Sequence, residues 1–481
     1  MNPHVSTKCA GRLLMALAAT TSILLMAACG SGGNPVVPPL PGGFSDASLS
    51  GTYVMRQTGF GGTGAFSETS VFTADGKGKL TITVDDIQNP TPVGPGEETL
   101  TGTYNINSDG TGLLTFDYTP TSSNYQITMI DDNHFYAMEG DTYATSSGYG
   151  VLQTSIAAPS GTFVFKAHNT GFSSRVGAVT LAGANITGNE DLIVLESAPT
   201  SSVINGGSSA PDSNGRGTFT LTDGSSFNYY VVSPSEFYFM SNSSAGSLEI
   251  GQANVQTATT LAAGSYVFGS RGDTVLTNPL GIHSAGVFTT DGVSTISGGT
   301  VDYVQDTNVY AGATVSDPSG FTLAASGRGT TNLLLSGAPA VSQIFWVVNG
   351  TSAYYITDNT AAAEDGSFSL QSGAPFSALT SQAAFVIDGF PSVPPGQADQ
   401  VGAFEPTSST AFNWKEQANQ AGGLTAIGTN GTYTVSANGR VAVTVNGITP
   451  SLIFYLSSAN TGFMVEEDWN DGGVFALQAS Q

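Results

Sequence analysis

Residues 101–116 read TGTYNINSDGTGLLTF, and this stretch decides the fold that the sequence predicts. Tyr104 and Ile106 alternate with polar residues, which places apolar side chains on one face of a strand. Asp109-Gly110 follows between two such runs. Asp-Gly in that position is a strong hairpin signal, because the turn needs positive φ and Gly adopts it freely. The stretch therefore predicts a β-hairpin.

The same hairpin recurs three more times along the chain. The fourth copy, GTYTVSANGRVAVTV, keeps both strands, whereas the second and third copies keep mainly the turns NGRG and SGRG. Gly215, Gly327 and Gly439 are spaced 112 residues apart, and Gly110 lies 105 residues before Gly215. This constant spacing indicates four tandem repeats.

Two further features recur late in each repeat, an aromatic strand and a strand that ends in glutamine. The aromatic strands are centred on Tyr136, Tyr238, Tyr354 and Phe463, and the glutamines are Gln153, Gln252, Gln371 and Gln478. Large apolar side chains at one position of every repeat are expected in a core. We predict that these four aromatic residues supply the core of their units, and that each unit folds independently of its neighbours.

Each repeat holds about seven or eight short predicted strands with turn signals between them, and no amphipathic helix of normal length is found. A meander that closes on itself leaves no exposed strand edge. We therefore predict an all-β chain of four tandem antiparallel β-barrels or closed sandwiches, which resemble lipocalins in architecture only. The alternative is a β-propeller. The predicted repeats span residues 44–156, 157–256, 257–374 and 375–481.

The N-terminus resembles the signal peptide of a bacterial lipoprotein. Residues 1–12 carry Lys8 and Arg12 and no acid, an apolar run follows to residue 26, and LMAAC at residues 25–29 ends in Cys29. The run is shorter than the about 20 residues of a membrane-spanning helix. LMAAC is similar to a lipobox, although Met26 stands where Leu is usual. The resemblance implies a signal peptide at residues 1–28 and acylation of Cys29.

Cysteine usage favours the lipoprotein over the alternative, an ordinary cleaved secretory signal. Cys9 lies in the part that is removed, which leaves Cys29 as the single mature cysteine and excludes an intrachain disulfide. Gly30 after the cysteine is compatible, in such lipoproteins, with sorting to the outer membrane. Residues 29–43 are rich in Gly and Pro and predict a tether. We expect an exported, membrane-anchored protein on the periplasmic or cell-surface face of the outer membrane.

The composition describes a folded, acidic protein. The chain has 36 Asp and Glu against 12 Lys and Arg, a net charge of −24. Removal of Lys8 and Arg12 leaves 10 cations against 36 acids, or −26. Such a surface repels phosphate backbones, so we expect no nucleic-acid partner, and the membrane is expected to be reached through the lipid anchor. The 40% hydrophobic and 10% aromatic content favours packed structure over disorder.

No motif for nucleophilic, metal-dependent or phosphate-binding catalysis is found, so the sequence predicts no catalytic residue and no cofactor. His134, His168 and His283 stand in different contexts and are interpreted as surface or capping residues rather than metal ligands. One acidic loop is a weak calcium candidate, although it lacks the distal Glu of an EF-hand. Its candidate ligands are Glu466, Glu467, Asp468, Asn470 and Asp471.

Other charged residues are assigned structural roles. Asp85-Asp86 and Asp131-Asp132 are interpreted as solvated turn residues. Arg271-Gly272-Asp273 spells an adhesion tripeptide, but three residues carry little information. Arg216, Arg328 and Arg440 share one hairpin position, and we expect them to pair with acids or cover aromatic rings. A row of anion contacts is the alternative.

Together these features predict a lipid-anchored protein of the cell envelope that acts as a non-enzymatic binding or structural module. Tandem copies can raise avidity for a repeated partner without one strong site. A carrier of small apolar ligands inside lipocalin-like barrels is the alternative, and a secreted hydrolase is a weaker one. A glycan, a protein or a small apolar ligand are the partners considered, and the sequence does not choose among them.

Overall fold

The computed structural model describes residues 43–61, 64–89, 91–96, 99–118, 121–141, 144–169, 173–242, 248–274, 281–305, 308–358, 360, 362–388, 399–420, 423–447, 452–459, 461–467 and 472–478. The predicted signal peptide and Cys29 lie outside them. Within these residues the single helix is a 3-10 turn at Asp46–Ser48. None of them forms a helix long and apolar enough to cross a membrane.

Barrel 1 contains the hairpin at residues 101–116. Its strands are β1 (Ser50–Gly61), β2 (Gly64–Asp75), β3 (Lys79–Asn89), β4 (Thr91–Gly96), β5 (Leu100–Ile106), β6 (Thr111–Tyr118), β7 (Thr121–Asp131), β8 (His134–Glu139) and β9 (Ala144–Leu152). Pairing of β2 with β3 and of β1 with β9 closes eight of them into an antiparallel barrel, and β4 pairs on β3. The predicted hairpin is β5–β6, in which Tyr104 pairs with Leu114 and Gly110 has φ +85°.

Barrel 2 is a closed meander of eight strands. They are β10 (Gly161–Asn169), β11 (Ser173–Ala182), β12 (Asn185–Val194), β13 (Thr200–Ser208), β14 (Arg216–Leu221), β15 (Ser226–Ser233), β16 (Glu236–Ser241) and β17 (Glu249–Val255). Each strand pairs with the next, and β17 pairs with β10.

Barrel 3 has nine strands, of which eight close the barrel. They are β18 (Gly264–Thr274), β19 (Gly281–Thr290), β20 (Ile296–Gln305), β21 (Asn308–Asp317), β22 (Thr322–Leu323), β23 (Arg328–Leu335), β24 (Val341–Asn349), β25 (Ser352–Thr357) and β26 (Ala362–Leu370). The pairing of β21 with β23 completes the barrel, and the short β22 pairs on β23.

Barrel 4 is again a closed meander of eight strands. They are β27 (Ala383–Asp388), β28 (Asp399–Pro406), β29 (Ala411–Gln420), β30 (Gly423–Val435), β31 (Arg440–Val445), β32 (Leu452–Ser458), β33 (Thr461–Glu466) and β34 (Gly472–Leu477). The predicted all-β chain of four tandem antiparallel barrels is therefore confirmed.

Every barrel interior is filled with aromatic and aliphatic side chains. In barrel 2, for example, Phe163 and Phe237 lie 5.1 Å apart between ring centroids, and Phe219 stacks on Tyr229 at 4.4 Å. These residues belong to one buried cluster. Since burying one such side chain contributes roughly 2 to 3 kcal/mol, the interiors supply much of the stability of the fold.

The predicted role of the recurrent aromatic residues is wrong by one position. Tyr136, Tyr238 and Tyr354 lie on the outer faces of their barrels, whereas their neighbours Phe135 and Phe237 point inward. A shift of one residue along a strand exchanges the two faces. The recurrent aromatic residues therefore serve contacts between barrels and not the barrel cores.

Those contacts join the four barrels into a closed ring. Apolar clusters lie between barrels 1 and 2, 2 and 3, 3 and 4, and also 4 and 1. In each cluster the first strands of one barrel pack against the two strands that precede the last strand of the next, as Val54 packs with Tyr238 and Val386 with Tyr136. Each barrel is thus buried on two sides, and the expectation of independent folding is replaced by one of coupled folding.

An ion-pair clamp accompanies the apolar cluster at three of the four junctions. At the junction of barrels 1 and 2, the buried Asp86 accepts hydrogen bonds from Arg216 Nε (2.6 Å), Asn228 Nδ2 (3.1 Å) and the Tyr230 hydroxyl. Equivalent clamps are Asp191 with Arg328 and Trp346, and Asp302 with Arg440 and Tyr455. The three hairpin arginines therefore have the structural role predicted for them, with partners on the preceding barrel.

At the fourth junction, between barrels 4 and 1, the cation and the carboxylate exchange barrels. Thr111 occupies the hairpin position of the arginines, since it pairs with Thr128 as Arg216 pairs with Tyr230. The cation comes instead from barrel 4, where Lys415 on β29 forms an ion pair with Asp109 and donates to Thr111 Oγ1 at 3.3 Å. Barrel 1 thus presents the carboxylate to barrel 4, and the ring closes with exchanged charges.

A glutamine clasp also recurs between barrels. Gln153 Nε2 donates to the backbone oxygens of Asn214 (3.0 Å) and Val231 (2.7 Å) in the hairpin of barrel 2. Gln256 and Gln371 do the same for barrels 3 and 4. The prediction of Gln252 as the second closing glutamine is wrong, because the equivalent residue is Gln256.

Candidate functional site

The first and last strands of the four barrels line a cavity of about 430 Å3 at the centre of the ring. Each first strand places an apolar residue in a junction, and the residue two positions later lies on the same outer face, nearer the cavity. The junction residues are Val54, Val164, Val267 and Val386, and the residues that follow them by two are Arg56, Lys166, Gly269 and Asp388. The cavity is therefore built from equivalent positions that carry different chemistry.

Two ion pairs cross between barrels in the cavity wall. Lys166 Nζ of barrel 2 lies 2.9 Å from Asp365 Oδ2 of barrel 3, and Arg271 of barrel 3 pairs with Asp388 of barrel 4. Burial alone would raise the pKa of Asp365, but Lys166 and His168 outweigh it and hold that pKa well below its ordinary value. Burial in turn lowers the pKa of Lys166 more than Asp365 raises it.

Arg56 is the cavity cation that lacks such a partner. In the described part of the chain no carboxylate lies within 4 Å of its guanidinium, although its charge partly offsets the rise that burial gives to the pKa of Glu236. The guanidinium donates to Gln252 Oε1, and its Cζ lies 4.8 Å from the centroid of the Tyr238 ring. Nε is buried without a hydrogen-bond acceptor among these residues. Arg56 is held in place by a neutral amide and an aromatic face.

The cavity wall combines polar and apolar side chains. Its charged and hydroxyl groups come from all four barrels, among them Arg56, Lys166, His168, Ser367 and Asp388. Barrels 1 and 4 also contribute apolar and aromatic side chains, which are Tyr136, Tyr149, Val386, Phe463 and Val474. Such a mixture of apolar walls and a few convergent polar groups is typical of small-molecule sites.

The interior of barrel 2 offers much less room. Its cavity has a volume of about 50 Å3 and lies among Phe165, Phe219 and Phe239. Arg175 also enters it and pairs with Glu190 at 2.9 Å. An acyl chain does not fit in a space of this size without repacking of the core.

Two polar groups in barrel 3 are buried without partners among the described residues. Neither carboxylate oxygen of Asp273 and neither ring nitrogen of His283 has a hydrogen bond there. Burial raises the pKa of Asp273 to about 6 and lowers the pKa of His283 to about 3, so both favour their neutral forms near pH 5. Asp273 is fully buried, so the Arg271-Gly272-Asp273 tripeptide is not displayed for adhesion.

His168 brings a serine and an aspartate together but not as a catalytic triad. Its Nδ1 lies 3.2 Å from Ser174 Oγ and 3.1 Å from Asp365 Oδ1. A Ser-His-Asp relay needs the serine and the carboxylate on opposite ring nitrogens. Both contacts fall on the same nitrogen here, so this group lacks the geometry for activating the serine.

The structure corrects several interpretations of single residues. His168 and His283 are buried rather than superficial, whereas His134 is partly exposed beside Asp131 at 2.8 Å. Asp85 and Asp86 are buried in β3 and do not form a solvated turn. Their contacts explain the error, because Asp85 accepts hydrogen bonds from Tyr118 and Ser70, and Asp86 is clamped by barrel 2.

The calcium candidate is only partly described. Glu466 is buried in β33, and Glu467 Oε1 lies 3.7 Å from Arg440 Nη2, which engages it at the junction of barrels 3 and 4. Asp468, Asn470 and Asp471 lie outside the described residues. Among the residues that are described, no group of three or more His, Cys, Asp or Glu side chains is arranged to hold a metal ion.

Arg56 and Lys166 line the cavity, and neither was predicted from the sequence as a site residue. Each stands five residues after the Gly that opens its repeat, Gly51 or Gly161, so their shared position was visible in the repeat. The whole chain has only 12 Lys and Arg residues. Two scarce cations at one repeat position were therefore a usable signal, but their convergence depends on ring closure, which the sequence does not display.

Comparison with known proteins does not assign the ring to a family. No family model matches the chain, and no curated protein matches it. The central cavity is chosen as the candidate site because all four barrels contribute to it and because it holds the Arg56 guanidinium, which has no carboxylate within 4 Å among the described residues.

Proposed function

We propose that the protein is a lipid-anchored module of the cell envelope that binds a small molecule in its central cavity and has no enzymatic activity. The observation that carries the proposal is a cavity of about 430 Å3 with walls from all four barrels. Its volume lies in the range of small-ligand sites, roughly 300 to 1,000 Å3. On this proposal four repeats are needed because only the closed ring forms the site.

The alternative carrier function receives less support from the same geometry. Apolar ligands inside the barrels would have to displace packed aromatic side chains such as Phe163 and Phe237. The weaker hydrolase alternative lacks support at His168, where the serine and the aspartate share one ring nitrogen. Both remain outcomes of the experiment below.

The anchor belongs to the same proposal. Acylation of Cys29, which the lipobox resemblance implies, would hold the ring at the outer membrane through the tether at residues 29–43. A ligand-binding ring held there would retain small molecules at the envelope. The retained ligand, and not a chemical turnover, is the proposed output.

A ligand screen on the mature chain tests the proposal. We expect ligand-observed NMR with a mixed panel of small acids, sugars, amines and fatty acids to find a binder. Ser367→Phe fills the cavity and should abolish that binding, whereas Asn308→Phe, on an exposed position of the same barrel, should not. Binding that survives Ser367→Phe, or a fatty acid that perturbs only barrel interiors, would contradict the proposal, as would turnover of any panel compound.

A further inference from the structure

The charges of the central cavity are not balanced. Among the described residues, its walls hold three basic side chains, Arg56, Lys166 and Arg271, and two carboxylates, Asp365 and Asp388. Both carboxylates are occupied, since Lys166 pairs with one and Arg271 with the other. One positive charge, on Arg56, is left over in a chain whose net charge is −24.

We propose that the central cavity selects small organic acids, with Arg56 receiving the carboxylate and the adjacent aromatic wall receiving an apolar body. This inference rests on the proposed function and names its ligand class. It uses the one cavity cation that the protein leaves without a carboxylate partner among the described residues.

The Arg56 guanidinium is prepared for such a ligand. A guanidinium offers five donors in a planar fork that matches a carboxylate, and one of them is taken by Gln252 Oε1. The Tyr238 ring below it and the Gln252 amide beside it fix the plane of the fork. Gln252 is itself held, because its Nε2 donates to the Tyr354 hydroxyl at 2.6 Å. The cation is therefore positioned by neutral groups that do not cancel its charge.

The chemistry of the walls excludes other classes of ligand. An amine would need a free carboxylate, and the two in the cavity are already paired. A neutral ligand would leave Arg56 partly desolvated and without an anion, which is unfavourable. A phosphate dianion carries more charge than one unpaired guanidinium balances. A monocarboxylate satisfies Arg56 and leaves both wall pairs intact.

The wall beside Arg56 favours a flat or apolar body on that acid. Tyr149 pairs with Arg56 across β1 and β9, Tyr136 lies 5.7 Å from Tyr149 between ring centroids, and Phe463 and Val474 continue the apolar surface. An aromatic ring of the ligand would bury apolar area there. Arylacetic acids such as phenylacetate combine both features and fit a cavity of about 430 Å3.

Isothermal titration of the mature chain tests the selection. The ligands are benzoate, phenylacetate and indole-3-acetate, each compared with its neutral amide, and phenethylamine serves as the cationic counterpart. We expect at least one acid to bind at least tenfold more tightly than its amide, and the amine not to bind. These comparisons use unaltered protein, so they do not depend on whether a variant folds.

Variants then identify the side chain that binds the carboxylate of the ligand. Arg56→Gln should weaken acid binding at least tenfold, whereas Lys79→Gln, the same charge change at an exposed site of barrel 1, should not. Arg56→Lys keeps the charge and should retain part of the affinity. Circular dichroism melting of each variant identifies any that has lost its fold. If Arg56→Gln is unfolded, the affinity of Arg56→Lys is compared with that of the unaltered protein instead.

The outcomes separate this inference from the proposed function. Amides that bind as tightly as acids, or acid binding unchanged in folded Arg56→Gln, would overturn the selection for acids. A sugar that binds and is blocked by Ser367→Phe, while no acid binds, would also overturn it and leave the cavity as a binding site. If no compound binds, both the selection for acids and the proposed binding function are wrong.

Discussion

Gln478 Nε2, three residues from the C-terminus, donates a hydrogen bond to the backbone oxygen of Asp109 in barrel 1 at 3.2 Å. It also donates to Met129 at 2.7 Å. This is the fourth member of the clasp that Gln153, Gln256 and Gln371 form at the other junctions. The chain thus closes its ring with the same contact that it uses between consecutive barrels.

The clasp explains the glycine that marks every repeat. Gly215 has φ +79°, and a Cβ there would lie 2.7 Å from Gln153 Nε2. We predict that Gly215→Ala lowers the free energy of unfolding by about 2 to 4 kcal/mol, combining backbone strain with a steric clash. Gly183→Ala is the matched control, since Gly183 has φ +62° in the same barrel with open space around it, and should cost only about 1 kcal/mol. Urea unfolding measures both, and equal losses would argue against the clasp.

The clamp at Asp86 predicts a strong dependence on its arginine. Asp86 is buried, so removing Arg216 leaves a carboxylate without its cation. Arg216→Met should lower the free energy of unfolding by about 3 to 5 kcal/mol. Lys77→Met, at an exposed position, should change it by less than about 0.5 kcal/mol. If the double variant Asp86→Asn with Arg216→Met is no more stable than Arg216→Met alone, the unpaired charge is not the cause.

Coupling between barrels predicts where a single substitution is felt. Tyr238 packs in the junction of barrels 1 and 2 under Arg56, so Tyr238→Ala should cost about 3 kcal/mol or more and loosen both barrels. Phe219→Ala, inside barrel 2, should loosen mainly that barrel. Hydrogen exchange followed by mass spectrometry reports each barrel separately. If Tyr238→Ala leaves the protection of barrel 1 unchanged, the barrels fold independently.

A buried acid predicts a pH effect. Burial raises the pKa of Glu416 to about 7, although Trp414 Nε1 donates to it at 2.7 Å and lowers the pKa in part. Its folded pKa exceeds the unfolded value of about 4.3, so its contribution to stability is complete below about pH 4 and is lost as the pH rises through 7. Other buried groups titrate as well, including His283, whose lowered pKa acts in the opposite direction.

Comparison with a variant isolates this one group. Glu416→Gln removes the titration, so the stability of the variant relative to the natural protein should rise by up to about 3 kcal/mol between pH 5 and pH 9. Denaturant unfolding at several pH values measures it. A difference between the two proteins that is constant across this range would show that Glu416 does not titrate in it.

The anchor predicts a difference between the two cysteines. Cys29→Ala should prevent acylation and release the protein from the membrane fraction, whereas Cys9→Ala, in the predicted signal peptide, should change neither. Metabolic labelling with a fatty-acid analogue, followed by membrane fractionation, measures both effects. Wild-type protein that is found unlabelled in the medium would contradict the lipoprotein assignment.

The barrels were predictable because turn chemistry is local. Asp109-Gly110 and the later Asn-Gly and Ser-Gly turns specify hairpins from a few residues, and their constant spacing specifies four units. The face of the aromatic strands was not predictable in the same way. Phe135 and Tyr136 are both large and apolar, because one fills the barrel and the other fills a junction. Period two cannot distinguish two buried faces.

The site was not predictable for a related reason. Arg56 and Lys166 lie on different barrels, and only closure of the ring brings them to one cavity. Asp85 and Asp86 show the same limit, since a pair of adjacent acids usually marks a solvated turn. Their partners lie on other strands and, for Asp86, on another barrel, so nothing near them in the sequence indicates burial.

The exchanged charges of Lys415 and Asp109 tie the last barrel to the first. Head-to-tail contacts either close into a circle or continue as a filament. The other three junctions share one polarity, but the reversed pair fits only the last barrel against the first. A chain that lost barrel 4 would leave the buried Asp109 carboxylate without this cation. Loss of the last repeat is thus penalised, and the end of the chain is matched to its beginning.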